Sequence, residues 1–196
     1  GFGVLLFVLS CLLMKDKVAK RVTDSQSPRL MSELSLLLAN RQVVIVGIYA
    51  MISYAAIPVF GAVWGVMYLQ VLGLSHTMAA FIISLMWIGL AVGSPLIGWI
   101  SDRLQKRKQL LELCSLLGIV ISSMIVFLGS SSISLLATLF FLLGLSGAAQ
   151  TLSFVLISEI VPKTLYPCAV GLNNTAVMFG GIVAPLIVGL AFDLYP

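Results

Sequence analysis

Five apolar stretches, each long enough to cross a bilayer, are joined by short connections: residues 43–72, 78–101, 109–129, 133–160 and 168–192. A spanning helix needs about 20 such residues. Hydrocarbon offers the backbone no hydrogen-bond partner, so a spanning segment must be a helix or part of a closed barrel. A barrel would show ~10-residue segments of alternating polarity, which these are not. Composition agrees, with 60% hydrophobic and 9% charged residues against about 25% charged in soluble domains. The chain is therefore expected to be an all-α integral membrane protein that crosses the bilayer several times. A sixth apolar run, residues 1–14, is too short to span and reads as the end of a transmembrane helix cut by the start of the sequence.

The charges set the orientation. Lys15, Lys17, Lys20, Arg21, Arg29 and Arg41 lie in or beside the long polar stretch 15–41, whose second half, Leu30 to Leu38, has the apolar face of an interfacial helix. Arg103, Lys106, Arg107 and Lys108 lie in the third connection and Lys163 in the fifth, which accounts for all 11 Lys and Arg. The second and fourth connections have none. By the positive-inside rule the basic connections are cytoplasmic, and His76 and Asp193 face outward. The net charge of +4 needs no nucleic-acid partner, because membrane orientation accounts for it. Cys11, Cys114 and Cys168 are scattered through apolar segments and form no disulfide framework and no metal-ligand spacing.

The third connection reads Gly98-Trp-Ile-Ser-Asp-Arg-Leu-Gln-Lys-Arg-Lys108. Gly98, with Ser94 one turn earlier, would let a neighbouring helix approach closely. Asp102 ends its helix where the dipole favours cations, so it would sit better against the N-terminus of another helix, such as the one starting near Cys168. Arg103 and Arg107 could pair with Glu159. The alternative is a solvated turn that only anchors two helices. Gly98, Asp102, Arg103 and Arg107 resemble the loop motif of the major facilitator superfamily, in its second copy between the eighth and ninth helices. Gln105 stands where that motif usually has Gly, and Lys106 where it usually has Arg, so a differently shaped turn is expected. Glu159-Ile-Val-Pro162 with Ala169-Val-Gly171 resembles the family's tenth-to-eleventh turn, and Gly180-Gly181 with Pro185 and Gly189 its eleventh helix. The resemblance implies the C-terminal six-helix half of a major facilitator bundle, lacking its last helix. Residues 1–14 would end the sixth helix, 15–41 would be the cytoplasmic linker between the halves, and 42–196 the C-terminal transmembrane bundle.

Polar groups at depth are the candidates for a solute cavity. Tyr54, Gly61, Gly65 and Tyr68 recur near one face of a helix that Pro58 is expected to kink. Tyr54 lies ~16 Å in from Val43, near the midplane. Trp64 and Tyr68 read either as cavity wall or as part of the outer aromatic belt. Gln150 must meet water, solute or protein, and reads either as a solute contact or as an interhelical hydrogen bond. Asn173 and Asn174 are further candidates of the same kind. Gly98, Asp102, Arg103, Arg107 and Glu159 form a separate group, expected to latch one conformation without touching solute.

No segment carries a carboxylate at its middle, so an intramembrane proton relay is not visible in this stretch. No phosphate-binding loop and no acid–base or nucleophile constellation is present, so neither ATP-driven transport nor an enzyme is supported. No cofactor and no metal site is expected. The resemblance implies a secondary active transporter that moves a small organic solute by alternating access between two halves. Its partners would be the solute, a coupling ion with H+ first among candidates, the lipid bilayer and the N-terminal half. The location would be the inner membrane if the source is bacterial. Two other readings stand beside it: efflux of amphipathic compounds by a multidrug-type antiporter, and a non-transporting membrane sensor that reuses the fold.

Overall fold

The computed structural model describes residues 30–129 and 132–194, and all regular structure among them is helical. Gly1–Met14 and the basic residues up to Arg29 lie outside the described residues. Helix α1 is Leu30–Ala39. Five helices follow that are long and apolar enough to cross a membrane: α2 Arg41–Val71, α3 His76–Leu104, α4 Arg107–Leu128, α5 Ile133–Ile160 and α6 Tyr166–Leu194. They overrun the apolar limits of the sequence by a few residues, because polar residues at the ends cap them or continue their last turns. Asn40 Oδ1 accepts from the Gln42 N–H at 3.0 Å and starts α2, and Ser75 Oγ accepts from the Met78 N–H at 3.3 Å and starts α3.

Two spans are not regular throughout. In α2, Pro58 is followed by a π-helical stretch, Val59–Trp64, before α-helix resumes at Gly65. In α5, a 3₁₀ stretch, Ala148–Thr151, separates two α-helical parts. Ile57 and Gly147, at the edges of these stretches, are in contact: a Cβ on Gly147 would lie 2.9 Å from Ile57 Cδ1.

α5 is the hub, packed by α3, α4, α2 and the start of α6, and it is the most deeply buried span. The α3–α5 pair is the tightest. A Cβ at Gly89 would run into the Phe141 carbonyl, and one at Gly144 into the Met86 carbonyl, so only glycine lets these backbones meet. α2 pairs with α6 in the same manner, Gly180 resting on the Met51 carbonyl. α3 and α6 share no packed face. Hydrophobic side chains fill the layers between: Met86, Ile125 and Phe140 toward one end, Ile97, Cys114 and Leu152 toward the other. At that second end α1 inserts Leu37 among Val43, Ile157 and Ala169, which ties the ends of α2, α5 and α6 together. Many outward-facing side chains are also large and apolar, among them Phe81, Phe127 and Phe179, as lipid-facing helices require.

Candidate functional site

The described basic residues at helix ends gather at one end of the bundle, where α2, α4 and α6 begin and α3 and α5 end. Here Arg107 is the centre of a small ionic cluster. Its Nη2 lies 2.9 Å from Glu159 Oε1 at the end of α5 and 3.5 Å from Asp102 Oδ1 at the end of α3. The Arg107 side chain is only 17% exposed, while Asp102 is 72% and Glu159 50% exposed. The guanidinium is thus a shielded bolt between two wet carboxylates, and each contact taken alone is worth at most about 1 kcal/mol.

Several expectations for this turn change. Arg103 does not join Glu159; its guanidinium lies 5.0 Å from the centroid of the Trp99 ring one turn back, a cation–π contact. Asp102 is not docked at the start of α6, since α3 and α6 are not packed together; its ionic partner is Arg107. Gly98 meets no other atom within 4 Å of where its Cβ would be, so the close approach belongs to Gly89 and Gly93 deeper in α3. The turn also keeps its glycine-like shape without glycine. Gln105 adopts φ 53, a left-handed conformation, and closes α3 with its N–H on the Ser101 carbonyl. Its side chain reinforces the turn, Nε2 donating to the Asp102 carbonyl at 2.6 Å.

Inside the bundle, the aromatic and amide candidates are mostly occupied in holding helices together. Trp64 Nε1 donates to the Pro185 carbonyl at 3.0 Å, and its ring meets Phe192 edge-on at 5.3 Å, which fastens α2 to α6. Tyr68 Oη donates to the Ile125 carbonyl, one of the acceptors left over in the last turn of α4. Asn173 Nδ2 donates to Ser153 Oγ at 2.8 Å and joins α6 to α5. Gln150 is buried in the 3₁₀ stretch of α5, and its side chain makes no hydrogen bond to a described residue. Tyr54 leans on Gly181 of α6 and on the apolar layer, and Asn174 is exposed on α6. Two recesses between the helices stand out among the described residues, and of these candidates only Asn173 lines either.

The larger recess, about 420 Å³, lies between α2, α4 and α5. Tyr49 and Ser53 face it from α2, Ser115, Ser122 and Ser123 from α4, and Ser146 from α5. Ile57 and Gly147 line it too, so both irregular stretches begin at its wall. No lining residue carries a formal charge. Ser115, Ser122 and Ser146 donate their protons to carbonyls of their own helices, at 2.8, 2.7 and 2.9 Å. Such back-bonding satisfies the hydroxyl proton and leaves oxygen lone pairs to accept from a guest. Ser115 Oγ also lies 3.3 Å from Tyr49 Oη, which links α4 to α2 across the recess. The rest of the wall is apolar, so the chamber offers scattered hydroxyls on a greasy surface. The sequence does hold the signal, since Ser115, Gly118, Ile119 and Ser122 follow the i, i+3, i+4, i+7 spacing of one helix face. Serine is common in spanning helices and can satisfy itself locally, so the spacing has little contrast when read alone.

No group of three or more His, Cys, Asp or Glu among the described residues is placed to hold a metal ion. Comparison with curated proteins and with solved structures gives no match. A family model described as the Major Facilitator Superfamily matches residues 1–185, nearly the whole chain. With five membrane-length helices, the glycine-mediated packing and the Asp-Arg turn in place, the chain belongs to the major facilitator superfamily of membrane transporters.

Proposed function

We propose that this chain is the C-terminal part of a secondary active transporter that moves a small organic solute without formal net charge by alternating access. The carrying observation is that the uncharged, serine-studded recess lies where α2 and α5 both leave regular α-helical geometry. A chamber walled by two jointed helices can adjust its wall while the rest of the bundle stays packed and rocks against the other half as a unit. The hydroxyls accept hydrogen bonds from the solute and the apolar wall takes its carbon skeleton. A charged solute would find no counter-charge there. The end that carries Arg41, Arg103, Arg107 and Lys163 is cytoplasmic by the distribution of basic residues. Coupling to an ion, H+ first, rests on a group outside the described residues, because the described spans hold no acid at depth. The N-terminal half supplies the facing wall.

The apolar part of the wall favours a second reading, efflux of amphipathic compounds. Flux in proteoliposomes with fixed orientation, screened over neutral polar and amphipathic solutes, separates the two by direction and by substrate. For whichever solute is moved, Ser122→Ala and Ser146→Ala, which break no bond between helices, should each weaken half-saturation by about 2- to 10-fold, the worth of one hydrogen bond, while thermal stability without solute holds. Unchanged half-saturation in both variants removes the recess from the transport path.

A further inference from the structure

Resting on the reading that the larger recess receives a solute, we infer that this solute is an open chain with a hydroxyl at each end, about 10 Å apart, and that it binds as a hydrogen-bond donor at both. The recess is a slot of that length. Its α2 wall is Tyr49, Ile52, Ser53 and Ala56. Its α4 wall is Ser115, Gly118, Ile119 and Ser122. Both sets follow the i, i+3, i+4, i+7 pattern of one helix face. Both helices start at the same end of the bundle, and Tyr49 Oη lies 3.3 Å from Ser115 Oγ, so the two walls run side by side. Seven residues at 1.5 Å each make ~10.5 Å. The hydroxyls gather toward the two ends. Tyr49 and Ser115 form one end, joined by Ser53, whose Oγ turns back to the Ala50 carbonyl at 3.5 Å. Ser122 and Ser123 form the other. Between them Gly118 offers no side chain, and Ile52 and Ile119 offer only hydrocarbon. Ser146 stands at this waist, 3.4 Å from where a Cβ on Gly118 would lie, but it is only 6% exposed.

The protons decide which partner fits. Ser115 and Ser122 have spent theirs on the Leu111 and Gly118 carbonyls, at 2.8 and 2.7 Å. Both line the slot half-buried, and part of the surface open to it is polar, so an oxygen at each end remains for a guest. Such an oxygen rewards a donor and gives nothing to an ether or a ketone. A carboxylate or an ammonium would enter without a counter-charge. A two-headed chain meets every part of the wall: each O–H donates at one end, and the carbons lie along Ile52, Gly118 and Ile119. In an extended chain each bond advances ~1.25 Å, so the eight bonds between the oxygens of 1,7-heptanediol reach ~10 Å. Its nine heavy atoms, at the ~30 Å³ that one water occupies in the liquid, need ~270 Å³. The slot of about 420 Å³ takes that with room for a branch.

The test uses the full-length protein in nanodiscs and tritiated 1,7-heptanediol. Binding is read by scintillation proximity, with protein-free nanodiscs subtracted. Unlabelled α,ω-diols of increasing length compete. The expected result is competition that peaks near seven or eight carbons, with 1,7-dimethoxyheptane weaker by about fivefold or more. Ser122→Ala removes the acceptor at one end. It should weaken heptanediol by about 2- to 10-fold and level the chain-length peak, which a merely structural loss would not do. Gly118→Leu blocks the waist and should abolish binding, which decides the matter if Ser122→Ala does not insert. Competition that climbs steadily with carbon number, equal competition by the dimethyl ether, or binding unchanged by Gly118→Leu would each overturn the inference. Flux measured on the same protein keeps the two readings apart. A solute that is moved while no diol peak appears defeats this inference alone, and a diol peak with no flux of any solute defeats the transport reading alone.

Discussion

Helices α3 and α6 each carry a proline well inside the span, Pro95 and Pro185, yet each runs as one 29-residue α-helix. Helices α2 and α5 behave differently. α2 has Pro58 and turns π-helical directly after it, while α5 has no proline at all and still tightens to 3₁₀ at Ala148. Proline alone therefore does not decide which rods are jointed. What the two irregular stretches share is a place: Ile57 presses on Gly147, and both residues wall the serine-studded recess. Gly61 and Gly65 of α2, within and just after the π-helical stretch, also pack against Met86 and Ile83 of α3. The bundle is built of stiff members and jointed members, and both jointed ones wall the recess, facing the stiff α4.

The largest effect is expected among the stiff members. Gly144→Leu drives a side chain into the Met86 backbone and should cost ~3 kcal/mol or more, or prevent folding. Gly98→Leu, facing open space, should stay within about 0.5 kcal/mol. Thermal unfolding in detergent compares them, and equal losses would break the idea that α3 is fixed by its glycines. Next come the joints. Pro58→Ala should slow transport roughly tenfold, about 1.4 kcal/mol in barrier, with little loss of stability. Pro95→Ala, on an exposed face of a continuous helix, should leave the rate unchanged. Equal rates in the two variants would erase the distinction between jointed and stiff helices.

Smaller still is the Arg107 cluster. Arg107→Ala should cost about 1 kcal/mol and make the loss from Glu159→Gln disappear in the double variant, since both act through the same contact. Additive losses would show that the ion pair does not tie the α3–α4 turn to α5. The smallest effect is a gain. Gln105→Gly relieves a left-handed side-chain residue and should add about 0.5 kcal/mol, less what the Nε2 contact to the Asp102 carbonyl was giving. Measurable destabilisation would show that this contact outweighs the strain.

The helices were legible because lipid enforces a length and a composition that no other segment meets. The basic ends were legible because each apolar span reverses the side on which charge can reside. The site was not. Tyr68, Trp64 and Asn173 were conspicuous as polar groups at depth, yet lipid gives every such group the same incentive to find a neighbouring helix, and a backbone carbonyl is always nearby. Polarity at depth therefore identifies ties as readily as solute contacts. The serines were inconspicuous for the opposite reason, because each can bond to its own helix and still present an oxygen. Gln105 was misread because a missing glycine suggests a missing left-handed turn, while helix ends elsewhere in the chain, such as Gly129, show how strongly that geometry is preferred.

Trp64 has one more consequence. It is the last residue of the π-helical stretch of α2, and its indole N–H is held by the Pro185 carbonyl while its ring abuts Phe192. Any bending of α2 away from α6 must release that indole into a different polarity. Trp87 and Trp99, the other two indoles in the chain, are 40% and 57% exposed on α3, and the Trp87 ring also packs on Gly61 of α2. Replacing those two with Phe would leave a protein whose ultraviolet emission gauges a single hinge, with no dye attached.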